Sequence, residues 1–375
     1  MLHDVSGPSK HSLLTIPDLP EASAAGLPII RRPIAAICSG PSPLPLIPGT
    51  ERFAPDWVVK WHREHHSWPT VDVACYSVID AVVSGSGQIW LDGKLVTSLE
   101  VMPAYVAQGL GIQDGGNERL HAAAALPIRC VDTPCLVALG HGIQVYGHFL
   151  IELLFRILVA RRAFGVTGLR YNVLLDQAAP EWLIRILLDD LRIEPSRLEF
   201  FKPKEEQVRL RHAIISSRVP RYHPVAKDML DELAADLMIA QSIRPHQRVF
   251  VARNRFHNSA APYRICANEK ALADTAAARH GFHPVAIEKL GWRDQIGLFR
   301  DADIVVGQAG SGLHNALFSK PSSRLASIGI MNLVQSEIGI MRSQQNAYLA
   351  KGINLSGEYR VDEASFRDFI DLVCV

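Results

Sequence analysis

The chain has 375 residues, 48% of them hydrophobic and 21% charged, with 39 Lys and Arg against 38 Asp and Glu and a formal charge of +1. The apolar content is too high and the net charge too low for a disordered chain, and the charge balance gives no footprint for nucleic acid or an anionic membrane surface, so any anion site must be local. The length suits two domains, each able to bury its own core.

Six cysteines, at 38, 75, 130, 135, 266 and 374, show no CxxC pair and no zinc-ligand spacing, so a reducing compartment is expected. The N-terminal stretch lacks the basic-then-apolar order of a signal peptide, and no apolar run reaches the ~20 residues of a spanning helix. A cytoplasmic protein is expected, with peripheral membrane association allowed.

Residues 1–50 are rich in proline, with Pro41, Pro43, Pro45 and Pro48 near the end, and read as an extended arm with little core. From about Asp56 to Tyr105 the pattern is strand-like and reads as a small β-rich cap or subdomain: Tyr76–Val83 and Gln88–Leu91 flank a glycine turn, and Asp92-Gly93 supplies a hairpin turn. After Cys135–Leu139 the pattern alternates between strand and helix. A helix is predicted over Gly147–Phe164, a strand over Tyr171–Leu175, a helix over Glu181–Leu191, and strands over Leu198–Phe201 and Ala213–Ser216.

A long amphipathic helix over Ala226–Ser242 leads to a second series. It comprises the strand Arg248–Ala252, a helix near Asn268–His280, a strand near Pro284–Ile287 and a helix over Trp292–Arg300. The strand Asp303–Val306, a helix from Gly312 and a strand near Arg324–Ile328 complete it. Such alternation implies βαβ units and parallel sheets. The expected fold is α/β, with two Rossmann-like lobes facing a cleft, preceded by a small β-rich segment. The expected divisions are 1–50 (arm), 51–240 (acceptor side) and 241–375 (donor side).

The most informative stretch runs from Asp303 to Phe318, where an apolar strand enters a turn with glycines at 307, 310 and 312. Glycine admits close backbone approach, and a following helix start presents unpaired N–H groups, which together suit a diphosphate. Ser311 adds a hydroxyl, and His314 and Asn315 are placed to point toward a ligand. The spacing is not GxGxxG, so a sugar nucleotide fits better than a nicotinamide cofactor. A tight packing turn is the plainer alternative.

The stretch Gly307–Phe318 resembles the signature of glycosyltransferase family 61, especially its bacterial members. Arg248–Arg253, Arg264 and Asn268-Glu269 resemble that family's strand-Arg…Arg…Asn-Glu segment. Gly147–Arg156, with His148, Glu152 and Arg156, is similar to its His-x-x-x-Glu-x-x-x-Arg helix. The resemblance covers roughly 75–330. The chain departs at Ala309, where the family often has His, and at Val145, where it often has Asn.

The resemblance implies a GT-B fold and an inverting, metal-independent transfer. It also implies a nucleotide-sugar donor of the uridine-diphosphate type used as substrate, with no cofactor. The acceptor would be a glycan or lipid-linked glycan, in bacterial surface-polysaccharide or capsule synthesis. Donor contacts fall to Arg253, Arg264, Asn268, Glu269, Gly310, Ser311, Gly312, Leu313, His314 and Asn315.

On the helix, His148, Glu152 and Arg156 share one face at i,i+4 spacing. His148 as base with Glu152 orienting it, and the reverse, both stay open, as does a purely structural polar stripe. Arg253 ends an apolar strand, where its planar fork suits a diphosphate. Asn268-Glu269 reads as a helix opening ahead of a ribose contact. The three histidines of Trp61–Trp68 match no metal spacing. A non-catalytic nucleotide- or glycan-binding protein and a sugar-nucleotide epimerase are the competing readings.

Overall fold

The computed structural model describes residues 13–14, 29–36, 38–64, 68–69, 72–85, 87–96, 125–140, 142–165, 171–237, 246–253, 265–354 and 357–375. The chain divides into two compact units: Met1–Ile37 with Val71–Pro220, and Cys38–Thr70 with Arg221–Val375.

The first unit holds strands β1 (Ile29–Ala35), β2 (Val73–Ser84), β3 (Gln88–Leu91), β4 (Lys94–Val96), β5 (Ile128–Val131), β6 (Cys135–Val137), β7 (Asn172–Asp176), β8 (Leu198–Phe201) and β9 (Gln207–Ser216). One mixed sheet runs in the order β4-β3-β2-β9-β6-β7-β8, with the pair Leu13–Leu14 on β4, β1 on β2 and β5 on β9. The strands from β9 to β8 are parallel neighbours, whereas β2 runs antiparallel to β9 over eight paired residues. The β-rich segment is therefore not a separate cap but the antiparallel continuation of this sheet. Asp92 and Gly93 both take positive φ, 47° and 69°, as a two-residue hairpin turn of the type predicted demands.

Helix α1 spans 146–164, and helix α2 is Glu181–Arg185 continued by a wide turn, Ile186–Asp190. The core of this unit collects Tyr76, Val78, Val83, Val137, Leu174, Phe201, Leu210 and Ile215.

The second unit holds a five-stranded, wholly parallel sheet in the order β11-β10-β12-β13-β14. Its strands are β10 (Arg248–Ala252), β11 (His283–Ala286), β12 (Ile304–Gln308), β13 (Arg324–Ile328) and β14 (Gln345–Leu349). Helices α3 (Pro224–Leu237), α4 (Glu269–His280), α5 (Trp292–Asp301), α6 (Val334–Arg342) and α7 (Glu363–Cys374) belong to this unit. From β10 the chain moves outward to β11 on one side, then returns to place β12 on the other. The carboxyl ends of β10 and β12 thus flank a topological switch point, the position where open α/β sheets hold ligands.

Two boundaries differ from the sequence reading. Residues 38–70 pack with the C-terminal unit, and the second division falls at 220/221 instead of 240/241. The cause is burial: Leu46, Ala54 and Val58 close over Tyr348 and Ala350, and Ile47 N–H donates to the Asn346 carbonyl at 2.9 Å, on the flank of β14. In the same unit Asp56–Arg63 is an α-helix and not strand-like as expected, and its His62, 4% exposed, bridges the Leu44 carbonyl and Ser336, each at 2.9 Å. Residues 1–12 and 15–28 of the expected arm lie outside the described residues. Among the described residues, no helix is long and apolar enough to cross a membrane.

Candidate functional site

In the second unit, β12 is buried along its whole length and delivers the chain to the switch point. The segment after it, where a helix was expected from Gly312, is the 3₁₀ helix Ser311–Phe318. The tighter winding leaves its first N–H groups without partners inside the helix, so the anion-facing character is kept over a shorter, narrower end.

The three glycines serve different ends. A Cβ on Gly307 would sit 2.9 Å from both Cβ and the carbonyl oxygen of Val251, so this glycine lets β10 and β12 approach. On Gly312 it would lie 3.3 Å from a methyl of Ile287, and on Gly310 2.7 Å from the Nη1 of Arg253. Gly310 thus lets a guanidinium lie across the main chain of the turn, where Arg253 Nη1 donates to the Ala309 carbonyl at 3.2 Å. The ordinary burial of an arginine stem is replaced here by a fixed cation beside the helix start.

Of the residues predicted to contact donor, Ser311 and Gly312 are half-buried at the surface of the turn, while Leu313 and Asn315 are fully buried and His314 is 8% exposed. Asn315 donates to Gln295 and to the Gly312 carbonyl, both at 3.1 Å, and so braces the turn from behind. The far end of the helix is held as firmly. Arg342, 1% exposed, donates to the Leu317 carbonyl and to Asp231, and Gln344 donates to the Ala316 carbonyl at 3.3 Å. Burial pulls the Arg342 guanidinium below its usual range, against the pull of Asp231.

Glu269 is 1% exposed, and its two oxygens accept the main-chain N–H of Arg253 at 2.9 and 2.8 Å. Gln308 donates to the same carboxylate, and the Tyr359 hydroxyl donates to Gln308 Oε1 at 3.1 Å. Burial first, then neighbouring groups, raise the Tyr359 phenol, so it stays protonated and donating.

Asn268 stands at the helix start, as predicted, but its side chain makes no capping bond. It pairs instead with the main chain of Val361, donating to the carbonyl at 2.8 Å and accepting the N–H at 3.1 Å. Cys266 is buried, which pushes its thiol up to about 11 and leaves it inert as a nucleophile at neutral pH. Arg264 lies outside the described residues.

In the first unit, the chain leaves β6 through Gly142, whose φ is 77°, and enters α1. A Cβ on Gly142 would lie 2.9 Å from Cδ2 of His148, so the glycine seats the imidazole. The turn Phe149–Leu153 is π-helical, a local widening that often marks functional positions. Trp182 closes on Tyr146 and Phe149 with ring centroids 5.6 and 5.7 Å apart and fixes the helix entry.

His148 Nδ1 meets Glu152 Oε1 at 3.3 Å, with side-chain exposures of 32% and 9%. Arg156, also buried, donates to the Leu139 carbonyl just past β6, and its own carbonyl accepts from Ser216 at 2.8 Å. The predicted stripe thus brings His148 and Glu152 together and ties Arg156 to the sheet end.

Sequence reasoning missed Gln308, Tyr359, Gln295 and Arg342. Gln308 carried a faint signal, a polar residue closing an apolar strand; the other three gave none. Residues 65–67 of the histidine-rich stretch lie outside the described residues. Among the described residues, no group of three or more His, Cys, Asp or Glu side chains is placed to hold a metal ion.

A parallel sheet with an arginine and a glycine-rich helix start at its switch point defines an α/β protein of the kind that holds ligands at the carboxyl ends of its strands. Residues 146–326 match the model of the family Glycosyltransferase 61. This stretch is a Glycosyltransferase 61 domain, and the chain is a glycosyltransferase, acting on a sugar donor and an acceptor. The matched stretch takes in the His148 helix, Arg253 and the glycine turn; Tyr359 lies beyond it. No curated protein matches the chain.

Proposed function

We propose that this glycosyltransferase is an inverting, metal-independent enzyme of the two-lobed GT-B type that uses a nucleotide-diphosphate sugar, of the uridine class. The observation carrying this reading is the Arg253 guanidinium across Gly310, bonded at 3.2 Å to the Ala309 carbonyl beside the start of the 3₁₀ helix. A fixed guanidinium and convergent N–H groups supply what a leaving diphosphate needs, and they supply it as developing charge is formed. Ser311 and Gly312 are the donor contacts this geometry supports best; Leu313, Asn315, Asn268 and Glu269 act by shaping it.

In the first unit, His148 is the base and Glu152 its orienting partner. The contact through Nδ1 puts that proton on the Glu152 side and leaves the lone pair on Nε2. Its greater exposure also favours His148 over the nearly buried Glu152 as the group that meets an acceptor. The acceptor oxygen attacks the anomeric carbon from the face opposite the diphosphate. The new C–O bond forms as the bond to the diphosphate oxygen breaks, the hydroxyl proton passes to Nε2, and the nucleoside diphosphate leaves with its charge matched by Arg253. The acceptor is a glycan or lipid-linked glycan in bacterial surface-polysaccharide synthesis, at the cytoplasmic face of the membrane.

A thermal-shift screen of the full chain against UDP, GDP, CDP and dTDP tests the donor class. Selective stabilisation by UDP, lost in Arg253→Ala and in Ser311→Tyr, is the expected result, and selectivity for another of the four contradicts the uridine class. Equal response to all four, or none from folded protein, contradicts it.

A further inference from the structure

We infer that Gln308 and Tyr359 are positioning residues for the donor grip, acting through Glu269 on Arg253; the inference rests on the donor-site reading above. The last ladder pair on this side of β10 joins Ala252 to Ala286. The main-chain N–H of the next residue, Arg253, is received by the carboxylate of Glu269 on both oxygens. A carboxylate can do this reproducibly only if its own rotation is stopped. Gln308 stops it, donating from Nε2 to Oε1 of Glu269.

The amide of Gln308 is symmetric in shape but not in polarity. Turned over, it would aim its oxygen at the carboxylate. The carboxylate, which only accepts, sets which way the amide faces, and the Tyr359 hydroxyl, donating at 3.1 Å to Gln308 Oε1, anchors it in that orientation. The chain is therefore directional: phenol to amide, amide to carboxylate, carboxylate to the peptide N–H of the residue whose guanidinium crosses Gly310. Gln308 is 4% and Tyr359 9% exposed, so solvent does little to compete for these bonds.

Tyr359 is held independently of its hydroxyl. Its N–H donates to the Ile265 carbonyl at 2.9 Å, and its carbonyl accepts from Ala267 at 2.8 Å. Removing the hydroxyl alone should thus leave the segment in place while freeing the amide. The residue lies outside the stretch that matches the family model, 146–326, so the C-terminal part of the chain contributes to the donor site at a distance.

The test uses the full chain, Tyr359→Phe and, as a second variant, Gln308→Met. Calorimetric affinities are measured for UDP and UMP, and for the GDP/GMP, CDP/CMP and dTDP/dTMP pairs. The melting temperature without ligand is recorded alongside. The parent is expected to bind one diphosphate more tightly than its monophosphate. In both variants that preference falls by about fivefold or more, the effect of one misplaced hydrogen bond, while monophosphate affinity is kept. A role confined to stability would lower the melting temperature and leave the ratio alone, and that result overturns the inference while sparing the donor site. A parent with no diphosphate preference in any pair overturns both.

Discussion

Substituting the glycines of the turn one at a time separates packing from ligand contact. For Gly307→Ala, the added methyl meets Val251 Cβ and the Val251 carbonyl, each at 2.9 Å. One of these is main chain, paired in register with Gly307 itself, so relief requires β10 and β12 to part at their carboxyl ends. Overpacking against backbone costs about 2 kcal/mol, within the usual range of 1–3. For a unit of this size that is a fall of about 4–8 °C in melting temperature. In Gly312→Ala the neighbours are methyls of Ile287 and Val251 at 3.3 and 3.4 Å, which can yield by a few tenths of an ångström. Its cost should be under about 1 kcal/mol. Gly310→Ala displaces the end of the Arg253 side chain, so its signature is in nucleotide binding, weaker by about tenfold once the charged bond to Ala309 is lost. Urea unfolding of the three variants, with nucleotide titrations, reads all of this. Gly307→Ala as stable as the parent, or less damaging than Gly312→Ala, would refute the reasoning.

Arg342→Met leaves the Leu317 carbonyl without its buried donor and should cost about 2–3 kcal/mol in urea unfolding, even though Asp231 stays hydrated. His148→Gln should lower kcat by about 10²-fold or more with the melting temperature kept, whereas Glu152→Gln should shift the pH profile of kcat. His283, exposed at one side, stacks on His246 at 3.8 Å, and partial desolvation there, followed by the His246 charge, lowers its pKa from the usual 6.5. The native state then binds this proton more weakly than the unfolded chain does. The stabilisation is full above the unfolded value and is lost as pH falls through the folded one. The melting temperature should drop between about pH 7 and pH 5 by less in His283→Asn than in the parent.

Strands and helices of the second unit were legible because each is a short apolar run closed by turn residues: Arg248–Ala252 matches the structure residue for residue, as Leu198–Phe201 does in the first unit. The seat of Leu46, Ile47 and Val58 was not legible. Leu46 and Ile47 form a pair closed in by Pro45 and Pro48, too short to show a period, and Val58 belongs to the short helix Asp56–Arg63; their partners on β14 make them core. Nor could the sequence distinguish a 3₁₀ from an α-helix at Ser311–Phe318. That choice is set by what grips each end, Arg253 at one and Arg342 at the other.

At the candidate site, Arg253, Glu269 and the glycine turn were named from sequence and lie together. The link through Gln308 to Tyr359, 51 residues apart, is tertiary and left no local trace. Asn268 was assigned to a helix start, where its type is favoured. The main chain of Val361 offered it a pair of bonds instead of one, and tertiary context prevailed over local preference.

The most direct test of the donor site is photolabelling with an azido-uridine-diphosphate sugar, followed by peptide mapping of the full chain. The account predicts label on the segments around Arg253, Ile287–Lys289 and Gln308–Gly312, competed away by UDP and absent in Arg253→Ala. Label competed by UDP but confined to the first unit, around Gly142–Glu152, would contradict it.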